Sequence, residues 1–200
     1  MDGLGLPEPV VRRLRAAYRT PGRHYHDLCH VDACLALLAE LPALDARDRR
    51  LLAWALAFHD AVYDPRRSDN EAKSADLAAA ELEGVGASAA EVAEVARLIR
   101  LTTGHEAPAG DDLGAMMVSI DLAILGSTPA AYDAYAAAIR AEYAHVPEPA
   151  YRAGRGRFLA RMLASPALYP DPGLRRRFEA AARRNLAREL ESLAARKVAR

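Results

Sequence analysis

His59 and Asp60 stand side by side at the end of the apolar run Leu51-Leu52-Ala53-Trp54-Ala55-Leu56-Ala57-Phe58. Withdrawing an imidazole and a carboxylate from water is unfavourable unless something compensates, and a bound cation compensates well. Three other stretches offer matching donors: His30 in Tyr25-His26-Asp27-Leu28-Cys29-His30, Asp121 in Ser119-Ile120-Asp121-Leu122, and His105 in Thr102-Thr103-Gly104-His105. A hydrolytic metal site needs such neutral and anionic N and O ligands, with positions left open for water and substrate. Mixed imidazole and carboxylate ligation suits Mn, Fe, Co, Ni or Zn better than Ca.

Helices must bring these residues together. Residues 9–19 read as a first helix, closed by Thr20-Pro21-Gly22. A second spans residues 27–41, with Leu28, Val31, Leu35 and Leu38 on one stripe, and Pro42 stops it. A third starts near Asp45 and carries Leu51, Leu52, Ala55, Leu56 and His59 on its inner side. After the polar loop around Pro65, Asp69 or Asn70 caps a fourth helix that ends at Gly84. Ser88 and Glu91 make a capping-box pattern for a fifth, with Val92, Val95, Leu98, Ile99 and Leu101 inward. A loop with Pro108 and Gly110 leads to a sixth over residues 112–125. Thr128-Pro129 starts a seventh, Pro147 and Pro149 an eighth that ends at Ser165-Pro166. Pro170-Asp171-Pro172-Gly173 introduces the last, striped by Phe178, Ala182, Leu186, Leu190 and Leu193. Strand alternation is absent, as are internal repeats and interdomain linkers. The expectation is one all-α domain over residues 1–200. His30 lies early in its helix and His59-Asp60 at the end of the next, so antiparallel packing would join those ends.

Composition agrees with helix. The hydrophobic fraction is 52%, much of it Ala, and aromatics are only 6%. The formal net charge is zero, so no global field points to nucleic acid or a membrane. Arginine dominates after Arg152, which could make an anion-facing surface, although a solvated helix face is the plainer reading. Cys29 and Cys34 are five apart, point to different faces and cannot easily bridge. Reduced cysteines, no signal-peptide pattern in residues 1–7 and no run near the ~20 apolar residues of a membrane span lead to an expected cytoplasmic protein.

The order His30, His59-Asp60, Asp121 resembles the signature of the HD superfamily of metal-dependent phosphohydrolases. Further stretches resemble one bacterial group of it: Arg23-His24-Tyr25-His26, Phe58-His59-Asp60-Ala61-Val62-Tyr63-Asp64, Asp69-Asn70-Glu71, Asp121-Leu122-Ala123-Ile124-Leu125-Gly126, Ile139-Arg140-Ala141-Glu142-Tyr143, Gly154-Arg155 and Ala182-Arg183-Arg184-Asn185-Leu186. The resemblance spans residues 23–190. It implies an HD-type bundle of about eight or nine helices and a divalent metal ion (Mn, Fe, Co, Ni, Zn or Mg) held by His30, His59, Asp60 and Asp121. One departure stands out: many members read Asp-x-Asp-Leu where this chain has Ser119-Ile120-Asp121-Leu122.

The remaining candidates complete a phosphoryl-transfer site. Arg23 and Arg140 could take phosphate oxygens, although a structural ion pair suits each as well. Glu71 could orient a water or serve its helix terminus. Lys73, one of two lysines, offers a compact ammonium at a substrate, or an exposed helix residue. His26 belongs to the turn before the second helix, as a neighbour of the ligands or a substrate contact. His105 could be a ligand, a phosphate donor or the general acid. His24 and His145 read as surface residues, and Tyr143, Arg155 and Asn185 as structural. The expected activity is hydrolysis of a nucleotide or other small phosphomonoester. The alternatives are a dinuclear-iron HD-type oxygenase, disfavoured because only His105 lies between His59-Asp60 and Asp121, and a silent nucleotide-binding protein.

Overall fold

A computed structural model of the chain describes residues 1, 3–41 and 44–195. Among the described residues there are nine α-helices, one 3₁₀ segment and no strand. Helix α1 covers Glu8–Ala17, and α2, Leu28–Glu40, starts where the Asp27 carboxylate accepts the amides of Cys29 and His30. Asp45 caps α3 (Ala46–Phe58) by accepting from Asp48. The expected capping box of Ser88 and Glu91 opens α5 (Ala89–Leu101), and Thr128 caps α7 (Pro129–Glu142). Each such cap satisfies an amide the helix cannot, and is worth about 1 kcal/mol.

Two boundaries differ from the sequence expectation. Asp69 occupies the N-cap position of α4 (Asn70–Gly84) but makes no capping bond, because its carboxylate is paired with Arg67. Asn70 instead closes the preceding loop, accepting from the Asp64 amide and donating to the Asp64 carbonyl. The expected sixth helix is two pieces, α6 (Asp112–Asp121) and the 3₁₀ segment Leu122–Gly126. The carbonyls freed by that tightening have partners: the Tyr169 hydroxyl donates to Leu122, and the Asn185 amide donates to Leu125 and Ser127. Pro42, the expected stop of α2, lies outside the described residues.

Helix α3 is the centre of the first core. Leu51, Leu52, Ala55, Leu56, Ala57 and Phe58 are all fully buried, and α2, α4, α5 and α6 pack around them. Burying each large side chain contributes about 1.5–3 kcal/mol. Trp54 joins this core and donates its indole N–H to the Leu4 carbonyl. A second core gathers Leu122, Leu125, Tyr132, Leu159, Tyr169 and Leu186 from the 3₁₀ segment, α7, α8 (Glu148–Ala164), the 165–171 connection and α9 (Pro172–Ala195). Leu101 and Phe178 pack against both. The expected α9 stripe is present, with Ala182 and Leu186 fully buried.

The 3₁₀ segment and α9 meet at backbone distance. A Cβ on Gly126 would lie 2.6 Å from the Phe178 Cβ and 2.9 Å from its carbonyl oxygen. Gly126→Ala is therefore expected to destabilise the fold by about 1–3 kcal/mol, because backbone must move. Gly156→Ala is the control: its new methyl meets only the Leu190 side chain, at 3.9 Å, and it should gain about 0.5–1 kcal/mol in thermal or denaturant unfolding.

Candidate metal centre

His30 sits in the first turn of α2, His59 and Asp60 directly after α3, and Asp121 at the last residue of α6. Packing of those three helices brings their side chains to one point. The His30 Nε2 is 3.1 Å from the His59 Nε2 and 3.2 Å from the Asp121 Oδ1. The His59 Nε2 is 3.4 Å from that same oxygen and 3.0 Å from the Asp60 Oδ2, which lies 3.8 Å from the His30 Nε2. His30, His59 and Asp121 thus form a group that could hold a metal ion, their donor atoms within 4.8 Å of one another.

The donor chemistry fits a cation. The His59 Nδ1 donates to the Leu56 carbonyl at 2.9 Å, which turns the Nε2 lone pair toward His30. Two facing imidazole nitrogens repel unless a proton or a metal ion lies between them. Burial opposes a charged His59, but the carboxylates of Asp60 and then Asp121 outweigh it and hold its pKa well above the ordinary value. Burial also works against both carboxylates, and the surrounding imidazoles, His59 foremost, nevertheless hold them below the usual range. A metal ion supplies the same positive charge.

His105 approaches from the 102–111 connection. Its Nε2 is 3.4 Å from the Asp121 Oδ2, while its Nδ1 is buried with no hydrogen-bond partner. Its backbone is left-handed, with φ of 56°, an uncommon conformation for a residue with a side chain.

His26 lies in the turn before α2 and is oriented by a residue outside the sequence-derived candidates. Glu142, at the end of α7 and 4% exposed, accepts the amides of His24, Tyr25 and His26 on one oxygen. Its other oxygen takes the His26 Nδ1 at 2.7 Å and the Tyr63 hydroxyl at 2.7 Å. Tyr63 also stacks on the His26 ring. Burial would raise the Glu142 pKa, but His26, the amides and Tyr63 hold it down at about 2. The only sequence signal was the position of Glu142 inside the motif Ile139-Arg140-Ala141-Glu142-Tyr143.

The site opens on a cavity of about 630 Å³, whose wall includes His26, His59, Asp60, Glu71, His105 and Asp121. The structure does not bring Arg23, Lys73 or Arg140 to that wall. Arg23 donates to the carbonyls of His26, Asp60 and Ala61 and to the Thr20 hydroxyl. Arg140 is taken by Glu148 and the carbonyls of Tyr143 and Val146, and Lys73 is exposed on α4. Ser119 is fully buried, and its hydroxyl accepts the Asp171 amide, so a longer side chain there would press on the start of α9 and not on the metal group. His24 and His145 are exposed, and Asn185 is structural, as expected. Arg155 is ion-paired with Glu189 and also lines the cavity. No protein-family model, curated protein or solved structure matches the chain.

Glu142→Gln tests the latch on the His26 turn. An amide can still accept the three backbone N–H groups but presents a donor to His26 and Tyr63. With an ordinary pKa of 4.5 and a folded value of about 2, the carboxylate contributes stability above pH 4.5 that is lost as the pH falls through 2. The stability gap between wild type and variant should be on the order of 3 kcal/mol above pH 5 and close between those two values. Denaturant titrations across that window check it, and a pH-independent gap would contradict it.

Proposed function

We propose that the chain is a metal-dependent phosphohydrolase of the HD type, acting on a small phosphomonoester such as a nucleotide. One observation carries the reading: two imidazoles and two carboxylates from three helices converge, with facing lone pairs, at the wall of a cavity large enough for a small substrate. His30, His59, Asp60 and Asp121 would hold the ion. A divalent ion there supplies Lewis acidity toward a phosphoryl oxygen and makes a water acidic enough to attack near neutral pH.

The chain's own groups do the rest. The Leu56 carbonyl fixes the His59 tautomer, and the carboxylates of the buried Asp60 and the partly buried Asp121 would balance the cation. His105, with one ring nitrogen against Asp121 and the other unpartnered, can hand a proton to the departing oxygen. His26, oriented by Glu142 and lining the same cavity, is the second imidazole available to a substrate oxygen. Glu71 lies on the wall where it can orient a water. Beyond His30, His59, Asp60 and Asp121 the wall offers few further ligands, chiefly His105, His26 and Glu71, which supports a single ion over the dinuclear oxygenase.

Metal analysis of chelator-free protein, followed by a phosphate-release screen, tests the proposal. One tightly bound ion per chain is expected, and Asp60→Asn and Asp121→Ala should each lose metal and turnover together with helix content intact. Full metal occupancy in either variant would remove that residue from the ligand set. His105→Ala should keep its metal and turn over about 10²–10⁴-fold more slowly. Two ions in the wild type falling to one in this variant would make His105 a ligand and favour the oxygenase.

A further inference from the structure

Beyond the metal group the cavity changes character. Its far wall is built by the 3₁₀ segment, α7 and α8, and presents Leu125, Tyr135, Ile139, Tyr143, Tyr151 and Phe158. The tyrosines of the cavity come in two ring pairs: Tyr25 meets Tyr135 edge to face at 4.6 Å, and Tyr143 lies 6.2 Å from Tyr151. Such rings offer large flat apolar faces to a planar ligand. Tyr25 lines the cavity with its ring 4.7 Å from that of His30, and its hydroxyl is buried with no partner, a polar atom left without a hydrogen bond.

The charges on the wall are equally selective. The cavity has two arginines, and each is already neutralised. Arg67 is bound by both oxygens of Asp69, and Arg155 by both oxygens of Glu189, with its guanidinium also against the Tyr135 and Phe158 rings. The other charged residues on the wall, apart from the imidazoles, are the carboxylates Asp60, Asp121 and Glu71. A second phosphoryl group would have to compete with Asp69 or Glu189 for an arginine and would lie near a carboxylate. Burying an unpaired anion in such a place is strongly unfavourable. A polyol body would set many of its hydroxyls against aromatic carbon on this wall.

Resting on the phosphohydrolase reading, we infer that the substrate carries one phosphoryl group on an uncharged body that contains an aromatic ring. The phosphoryl group sits at the metal and the ring in the tyrosine chamber. The cavity of about 630 Å³ lies within the roughly 300–1,000 Å³ that accommodates a ligand of this size. Polyphosphates and phosphorylated polyols are poor substrates on this account.

The test compares naphthylmethyl phosphate, glycerol 3-phosphate and ATP as substrates of the metal-loaded full chain. The first two share an alkoxide leaving group, so intrinsic reactivity does not bias the comparison. The kcat/KM for naphthylmethyl phosphate should exceed the other two by about 100-fold. Tyr143→Ala and Ile124→Ala, both at half-buried wall positions, should raise KM for the naphthyl ester about 10-fold and leave KM for glycerol 3-phosphate unchanged. Equal or better turnover of ATP or glycerol 3-phosphate, or parallel KM changes for both esters, overturns the inference. If no ester is turned over, calorimetry with naphthylmethanol separates the two readings. Binding to wild type that both variants weaken keeps the aromatic chamber and removes the phosphohydrolase, while absence of binding overturns the chamber.

Discussion

The carbonyls at the buried end of α3 set the frame for the site. A helix end enclosed by protein must find partners for the carbonyl groups its own ladder leaves open. Here the imidazole of His59 takes Leu56, the hydroxyl of Tyr18 takes Ala57, the amide of Ala61 takes Phe58, and Arg23 takes Asp60 and Ala61. One of the groups closing the helix is therefore also a group of the candidate metal centre. The tautomer of His59 follows from helix termination, and no separate device is needed to orient it. Arg23 lies between the rings of Tyr18 and Tyr63, so the same cation also ties the segment after α1 to the far end of the site.

Much of this was legible from residue types and spacing. The helix count, the helix starts near Asp27 and Asp45, the caps at Ser88 and Thr128, and the meeting of His30 with His59-Asp60 all follow from local signals that packing did not override. The failures share a cause. Arg23 and Arg140 are arginines in promising motifs, but a sequence does not show that nearby carbonyls need donors, and in both cases those carbonyls took the guanidinium. Glu142 was hidden for the converse reason. Its acceptors are used by backbone amides 116 to 118 positions away, and backbone amides carry no signature in a sequence. The break at Asp121 depended on partners from the 165–171 connection and α9, again invisible locally.

The cavity was the least legible feature, because it opens between the two cores. Its walls come from the end of α3 and the loop after it on one side, and from the 3₁₀ segment, α7 and α8 on the other. The first core is aliphatic and alanine-rich, which lets helices approach closely and fixes the side chains of the candidate metal centre. The second carries most of the tyrosines, whose rigid rings span wider gaps and whose hydroxyls find Glu189, Leu122 and Arg155. Fine positioning and a roomy chamber thus arise from different side-chain vocabularies on either side of one opening.

The sole tryptophan of the chain gives this division an optical consequence. Trp54 is buried in the first core, with its indole N–H bound to Leu4. Its emission therefore reports on one half of the molecule alone, while the tyrosines of α7, α8 and the 165–171 connection populate the other. Excitation that selects the indole follows the opening of α3 and the departure of the residues before α1. Near-ultraviolet tyrosine dichroism follows the second core. Coincidence of the two signals during unfolding would mark the chain as one cooperative unit, and their separation would mark two.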